Sequence, residues 1–456
     1  MEMDTVKYID LFAGIGGFRL GFSNACNELG IKHKCVFTSE IKPYAITVYK
    51  SNFKGKIFGD ITKIEASDIP DFDVLLAGFP CQAFSSAGKR QGFLETRGTL
   101  FFEVARILKE KSPKAFILEN VEGLIKHDLK NKSDPIGQTL STILCVLNSL
   151  GYKVSWRLLD SSDFGVAQRR KRIFIVGFKD EEICLSDFIS IKHTIADILD
   201  EGKELLDNNT AKLLLSHFPI DYLYGKCLKD KRGGKENIHS WDIELKGPVT
   251  KKQKKLLEWL LRARRRKDWA LKKGITWMDG MPLTLSEIQE AYGEENLKHS
   301  LDDLVEKGYL KYEHPKDVCV KKNALGHLVK SREYRTDLEK GYNIVAGKLS
   351  FDINKILNPH DISPTLVATD LDRVVVPDCN GIRRLTKTEQ LRLFGFPDDF
   401  KMPVKDREAF DLFGNTVAVP VVEAVSKRVL NALNGTPFIP LKKEKNVSIT
   451  QMELGL

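Results

Sequence analysis

Between residues 6 and 178, short apolar runs alternate with stretches in which apolar residues recur every three to four positions. The runs at 6–12, 35–38, 73–77, 115–121, 156–160 and 172–178 read as strands. Phe18, Phe22, Ala25 and Leu29 keep helical spacing and stop at Gly30, and further helices are expected at 100–108 and 136–150. Another strand-like unit is expected to end at Gly59-Asp60-Ile61. This alternation predicts an α/β fold. In such sheets ligands bind beyond the carboxyl ends of the strands, so the residues just past each strand carry the chemistry.

Past the first strand comes the turn Ala13-Gly14-Ile15-Gly16-Gly17 at a helix start, and past the second comes Glu40. A glycine turn followed roughly 20 residues on by an acid suits a nucleoside ligand, the acid accepting from ribose hydroxyls. Arg19 stands where the dinucleotide pattern needs its last glycine, and no Gly-Lys-Ser/Thr is present to hold a triphosphate. Asp60 could accept from an adenine amino group or simply cap the next turn. Asp73-Val74-Leu75-Leu76-Ala77 runs into Gly78-Phe79-Pro80-Cys81-Gln82, so the thiol falls just past a buried strand, at the crevice. Residues 89–99 are polar, basic and glycine-bearing, as expected of a loop that closes over a substrate. Glu119 ends the next apolar strand, and Gln168-Arg169-Arg170-Lys171-Arg172 sits at the turn between the last two. Basic residues beside a crevice can hold phosphates or a polar base edge.

From 179 to about 357 the strand–helix rhythm disappears. A basic helix is expected over 251–271, a short helix capped by Ser286 and Gln289 follows, then a helix with Leu297, Leu301, Leu304 and Val305 on one face, and a strand at 309–312. That order is the order of a winged helix-turn-helix. The earlier character returns near Ser363-Pro364-Thr365. A helix over 387–393 follows, then Phe413-Gly414-Asn415-Thr416-Val417 and a final amphipathic helix at 421–433.

Composition sharpens this picture in two places. The 456 residues exceed one ordinary core, so two domains or one with a large insertion are expected. The net charge is +9, and the stretch 250–273 alone holds eleven basic residues against two acids, a surplus equal to that of the whole chain. Such a surplus suits a polyanionic partner. The eight cysteines are scattered without a C-x-x-C pair, which argues against a zinc site and against a disulfide framework. No signal peptide and no apolar run approaching a membrane span are expected, which points to the cytoplasm.

The motifs resemble, in order and spacing, those of the DNA (cytosine-5) methyltransferases of bacterial restriction-modification type. They are Asp10-Leu11-Phe12-Ala13-Gly14-Ile15-Gly16-Gly17-Phe18, Gly59-Asp60-Ile61, Gly78-Phe79-Pro80-Cys81-Gln82, Arg97-Gly98-Thr99-Leu100-Phe101, Glu119-Asn120-Val121, the basic run 168–172, Arg384-Leu385-Thr386 with Gly395-Phe396-Pro397, and Gly414-Asn415-Thr416-Val417. The resemblance covers 6–178 and 361–433. It departs from the family at Thr416, where serine is frequent, and in the apparent winged helix. It implies a Rossmann-like, S-adenosylmethionine-dependent catalytic domain at 1–185 and 361–435. A target-recognition domain would be inserted at 186–360 and 436–456 would form a flexible tail, while the element order places a winged helix at 250–330 within that insertion.

The resemblance implies roles as well. Phe12, Gly14, Ile15, Gly17, Glu40, Asp60, Ile61, Leu100, Asn415 and Val417 would form the S-adenosylmethionine pocket. Cys81 would add to carbon 6 of a cytosine flipped out of duplex DNA, Glu119 would bond to its ring nitrogen 3, and Arg172 would hold the oxygen at carbon 2. DNA contacts are expected from Gln82, Ser85, Arg170 and Arg373, phosphate contacts from Arg264, Arg265 and Arg266, and base reading from Lys298 and His299. The expected partner is double-stranded DNA, with no metal and no membrane, the protein acting as a monomer. An RNA cytosine methyltransferase of the same architecture and a non-enzymatic DNA-binding regulator are the competing readings.

Overall fold

The uncharged run Val74–Gly78 forms β3, a strand with both faces covered. Such strands need helices on each side. β3 lies in a six-stranded sheet with β1 (Val6–Leu11), β2 (His33–Ser39), β4 (Ala115–Val121), β5 (Lys153–Asp160) and β6 (Lys171–Phe178). The order is β2-β1-β3-β4-β6-β5. The first four strands run parallel, and β5 and β6 are antiparallel to their neighbours. α1 (Gly17–Glu28), α2 (Pro43–Asn52), α3 (Leu100–Lys111) and α4 (Gln138–Ser149) alternate with the strands. The computed structural model describes residues 5–80, 100–131, 133–276, 280–322, 328–346, 351–379, 381–436 and 438. Cys81, Gln82, Ser85, the 89–99 loop and all but two residues of the expected tail lie outside the described residues.

The chain divides into two compact units. One comprises Met1–Leu199, His360–Leu371 and Thr386–Leu456, and the other Asp200–Pro359 with Asp372–Leu385. The expected strand ending at Gly59-Asp60-Ile61 is reduced to a single bridge between Ser39 and Phe58. The reason is local: Asp60 caps a short turn, accepting from the Thr62 backbone N–H at 3.1 Å, and turns the chain away from the sheet.

The second unit starts with α5 (Asn209–His217), β7 (Cys227–Leu228) and β8 (Asn237–Ile238). The basic helix expected over 251–271 is two helices, α6 (Lys251–Ala263) and α7 (Lys267–Lys272), broken at Arg264-Arg265-Arg266. α8 (Leu285–Tyr292) is capped by Thr284 with Glu287 rather than by Ser286 with Gln289, because Thr284 completes a reciprocal capping box. α9 (Lys298–Glu306), β9 (Leu310–Glu313), the hairpin β10 (Lys316–Lys322) and β11 (Leu328–Tyr334), and β12 (Gly341–Ile344) complete a winged-helix order. An isolated bridge joins Leu283 to Tyr342 within this arrangement. Trp241, Leu257, Leu260, Leu301, Leu304 and Tyr309 lie in its core. β13 (Lys355–Ile356), β14 (Val374–Asp378) and β15 (Gly381–Arg384) join β7 and β8 in a separate five-stranded sheet, which is why 372–385 returns to this unit.

The chain re-enters the first unit through α10 (Lys387–Arg392), α11 (Asp406–Asn415) and α12 (Val419–Leu433). α12 packs on α1 so closely that a Cβ at Gly21 would lie 2.7 Å from Val422 Cβ. This pair covers one face of the sheet, and α3 and α4 cover the other. Contrary to expectation, Asp406–Leu433 has the length and apolarity of a membrane span. It is broken between Asn415 and Val419, and 61% of its apolar window is buried, as in a core helix pair.

Candidate active site

The parallel register aligns the carboxyl ends of four strands: Leu11 lies beside Ser39 and Ala77, and Gly78 beside Glu119. Phe12, just past β1, takes a left-handed conformation with φ 55°, which is uncommon for a bulky residue and recurs at ligand sites. Gly14 follows at φ 54°, where an added Cβ would meet nothing within 4 Å, so the turn borders open space. Its N–H donates to Glu40 Oε2 at 2.7 Å. Glu40 Oε1 accepts from the N–H groups of Ile41 and Lys42 at 2.8 and 2.9 Å, which fixes the carboxylate against the turn. Gly17 is required by close approach: a Cβ there would lie 2.8 Å from Val417 Cγ2. Thus Gly14, Ile15, Gly17, Glu40 and Val417 are brought together.

Asp60 spends Oδ1 on Thr62, whose bonds hold its carboxyl below the usual range. Both readings of Asp60 are compatible with that, since the cap uses one oxygen. Arg106 of α3 donates to the carbonyls of Ile61 and Ile64 at 3.3 and 2.8 Å, tying this turn to the helix that Leu100 begins. Asn415 ends α11 exposed, its amide on the Asp411 carbonyl at 2.7 Å. Asp411 is itself held by Lys42 Nζ at 2.8 Å and Tyr44 at 2.7 Å, so the residues after Glu40 anchor Asn415's helix. Sequence reasoning passed over Lys42, Tyr44 and Asp411. Their proximity to Glu40 and to Asn415 in the chain was the available signal.

Glu119 Oε1 pairs with Arg172 Nε at 3.0 Å, the two side chains being 12% and 17% exposed. Burial raises the Glu119 carboxyl above the ordinary range, while Arg172 and Arg170 pull it back. An added Cβ on Gly78 would lie 3.5 Å from Glu119 Oε2, ordinary contact distance, so the end of β3 abuts this carboxylate. Asn120, also missed as functional, donates to the Phe79 carbonyl at 2.8 Å and thereby ties the Glu119 strand to the segment that leads into Cys81.

Arg170, expected on DNA, is 3% exposed. It donates to the carbonyls of Gly414 and Thr416, both at 2.9 Å, and burial pushes its pKa down to about 9. Its place is to fasten the 414–417 segment to the sheet. Gln168 does the same for Leu393, at 3.0 Å. Arg264 is likewise buried, donating to Asn343 Oδ1 at 2.9 Å, because the helix break turns it into the core. Arg266 is exposed but engaged by Asp268 at 2.5 Å, and Lys298 by Asp302 at 2.5 Å. Arg373 faces Asp372 at 3.6 Å, and its Nη1 is buried. Of the other second-unit residues expected on DNA, Arg265 is partly exposed and His299 is exposed on α9. No group of three or more His, Cys, Asp or Glu side chains placed to hold a metal occurs among the described residues.

Residues 6–431 match the family model described as C-5 cytosine-specific DNA methylase. The chain is 54% identical over 432 residues to the Type II methyltransferase M.NlaIV of Neisseria lactamica, covering 94% of this chain and 100% of that protein. It is 53% identical to the Type II methyltransferase M.NgoBV of Neisseria gonorrhoeae, with the same coverage of both. Among solved structures, the S. pombe Dnmt2 methyltransferase superposes with a TM-score of 0.50 at 15% identity, covering 94% and 100% of the two chains. At that identity the likeness concerns the fold.

Proposed function

Because the chain belongs to the C-5 cytosine-specific DNA methylase family, we propose that it methylates carbon 5 of a cytosine within a specific duplex DNA sequence, as the modification enzyme of a Type II restriction-modification system. The relatives named as Type II methyltransferases support that role. A bacterial cytoplasm is the corresponding location, and the protein acts there as a monomer.

The open glycine turn fits a nucleoside cofactor: the Gly14 backbone borders free space, and Glu40 is locked beside it. Phe12, Gly14, Ile15, Gly17, Glu40, Asp60, Ile61, Leu100, Asn415 and Val417 would hold S-adenosylmethionine there. When bound, it supplies an electrophilic methyl group. Carbon 5 of cytosine is a poor nucleophile, and covalent activation overcomes this. The Cys81 thiolate adds to carbon 6 of the flipped base, electron density moves to carbon 5, and after methylation the carbon 5 proton leaves and the thiolate is expelled. Glu119, with its raised proton affinity, supplies a proton at ring nitrogen 3 as charge develops there. Arg172 orients Glu119 and holds the base oxygen at carbon 2. Gln82 and Ser85 would touch the DNA beside the flipped base. The second unit, Asp200–Pro359 with Asp372–Leu385, would hold and read the duplex.

The observation that carries this reading is the half-buried Glu119–Arg172 pair at the same sheet edge as Gly78. Duplex DNA with 5-fluorocytosine at the target tests it, since fluorine cannot leave as a proton does. The wild type should form a covalent adduct in the presence of cofactor, and Cys81→Ala should bind DNA without forming one. An adduct persisting in that variant would move the nucleophile elsewhere.

A further inference from the structure

Charge is unevenly divided within the winged-helix part of the second unit. α9, the element in the position of a recognition helix, carries one lysine against three acids. That lysine, Lys298, is held by Asp302 at 2.5 Å. Asp303 is engaged by Lys307 at 2.7 Å and by Gln253 at 2.6 Å. A face of this composition repels a phosphate backbone. α6 carries five basic side chains against one acid, with Lys251, Lys252, Lys255 and Arg262 exposed.

Beside the end of α6 lies a second basic segment, the exposed loop Lys231-Arg232-Gly233-Gly234-Lys235. Its position is built, not incidental. Arg264 reaches out of the core to the Lys231 carbonyl at 3.4 Å, and Asn237 Nδ2 donates to the Arg232 carbonyl at 3.1 Å. A Cβ on Gly233 would lie 3.7 Å from Leu261 Cδ2, so the loop backbone passes directly over α6. Loop and helix enclose an open notch of about 630 Å³ lined by Arg232, Gly233, Gly234, Leu261, Arg262 and Arg265. Arginine forks and glycine backbone together suit one tetrahedral phosphodiester: guanidinium donors match its oxygens, and glycine lets the backbone approach.

We propose that this notch receives a backbone phosphate of duplex DNA, and that the second unit meets DNA along α6 and the 231–235 loop and not along α9. The proposal rests on the reading that the second unit holds the duplex. In consequence the buried Arg264 is a positioning residue for the notch, acting through the loop it tethers.

Equilibrium binding of the full-length protein to a mixed-sequence duplex, measured over a series of salt concentrations, tests this. Arg232→Ala and Arg262→Ala should each flatten the plot of log affinity against log salt by about 0.9, the increment for one lost phosphate contact. Arg262→Lys should restore most of the slope, which a merely structural role would not require. Lys298→Ala and His299→Ala should leave the slope as it is. Flattening by the α9 variants, with or without the notch variants, overturns the proposal and leaves the second unit as the DNA-holding part. An unchanged slope in all of the alanine variants overturns both the proposal and the reading beneath it.

Discussion

Two runs of arginine look alike in the sequence and end in different places. In the first unit, 169–172 enters a strand. The pleat sends alternate residues to opposite faces, so Arg170 and Arg172 share a side, with exposed Lys171 between them on the other. Arg170 is sunk onto the Gly414 and Thr416 carbonyls and Arg172 is set against Glu119. In the second unit, 264–266 sits where a helix breaks, and successive side chains diverge. Arg264 goes into the core, Arg265 into the notch and Arg266 onto Asp268. A count of charges treats all of these as phosphate contacts. Local backbone geometry decides which become structural, which chemical and which line a surface notch.

The largest expected effect lies at the strand-borne run. Glu119→Gln removes the ionisable partner of Arg172 and should slow single-turnover methyl transfer by about 10²–10⁴-fold, the usual scale for a general acid or base. Cofactor affinity, measured by calorimetry, should stay near the wild-type value. If it collapsed with the rate, Glu119 would belong to the cofactor pocket instead.

Next come the two buried arginines, one from each run. Arg170→Ala and Arg264→Ala should each lower unfolding stability by about 1–3 kcal/mol for each buried acceptor left unsatisfied. Denaturant titration would show it. Arg266→Ala, with its guanidinium exposed, should leave the denaturation midpoint unmoved, and a loss equal to that of Arg264→Ala would erase the distinction drawn between neighbours.

A further effect, set by pH, tests whether burial governs acids in the sheet as it governs Arg170. Asp10 is fully buried at the end of β1, its Oδ2 accepting from Tyr49 at 3.1 Å, and burial pushes its pKa up to about 8. In the unfolded chain an aspartate titrates near 3.9 (a value of about 4). Folding therefore takes up a proton between these values. Asp10's contribution is fully present below about pH 4 and is lost as pH rises to about 8. Asp10→Asn should remove that dependence, gaining on the wild type by about 1.4 kcal/mol per pH unit at most across this window. Parallel stability curves for the two proteins would show that Asp10 is ionised in the fold.

Much of the first unit was legible because its signals are local. Gly14 marks a turn by its left-handed φ and Gly17 by its close approach to Val417, and the apolar run before Gly78 marks a strand buried on both faces. The helices at 285–292 and 298–306 and the strand after them were legible for the same reason, since caps and periodicity report on neighbours in the chain. What escaped was long-range. Asn120 reaches Phe79, Gln168 reaches Leu393 and Asp411 reaches Lys42, pairings that no local pattern encodes. The break at 264–266 escaped because arginine is a good helix former and the periodicity of 251–271 continues through it.

The most direct test of the central claim is bisulfite sequencing of DNA from cells that express the protein. Wild type should leave cytosines protected from conversion at one recurring sequence, and Cys81→Ala should leave none. Full conversion in the presence of soluble wild-type protein, or protection that survives Cys81→Ala, would contradict the account.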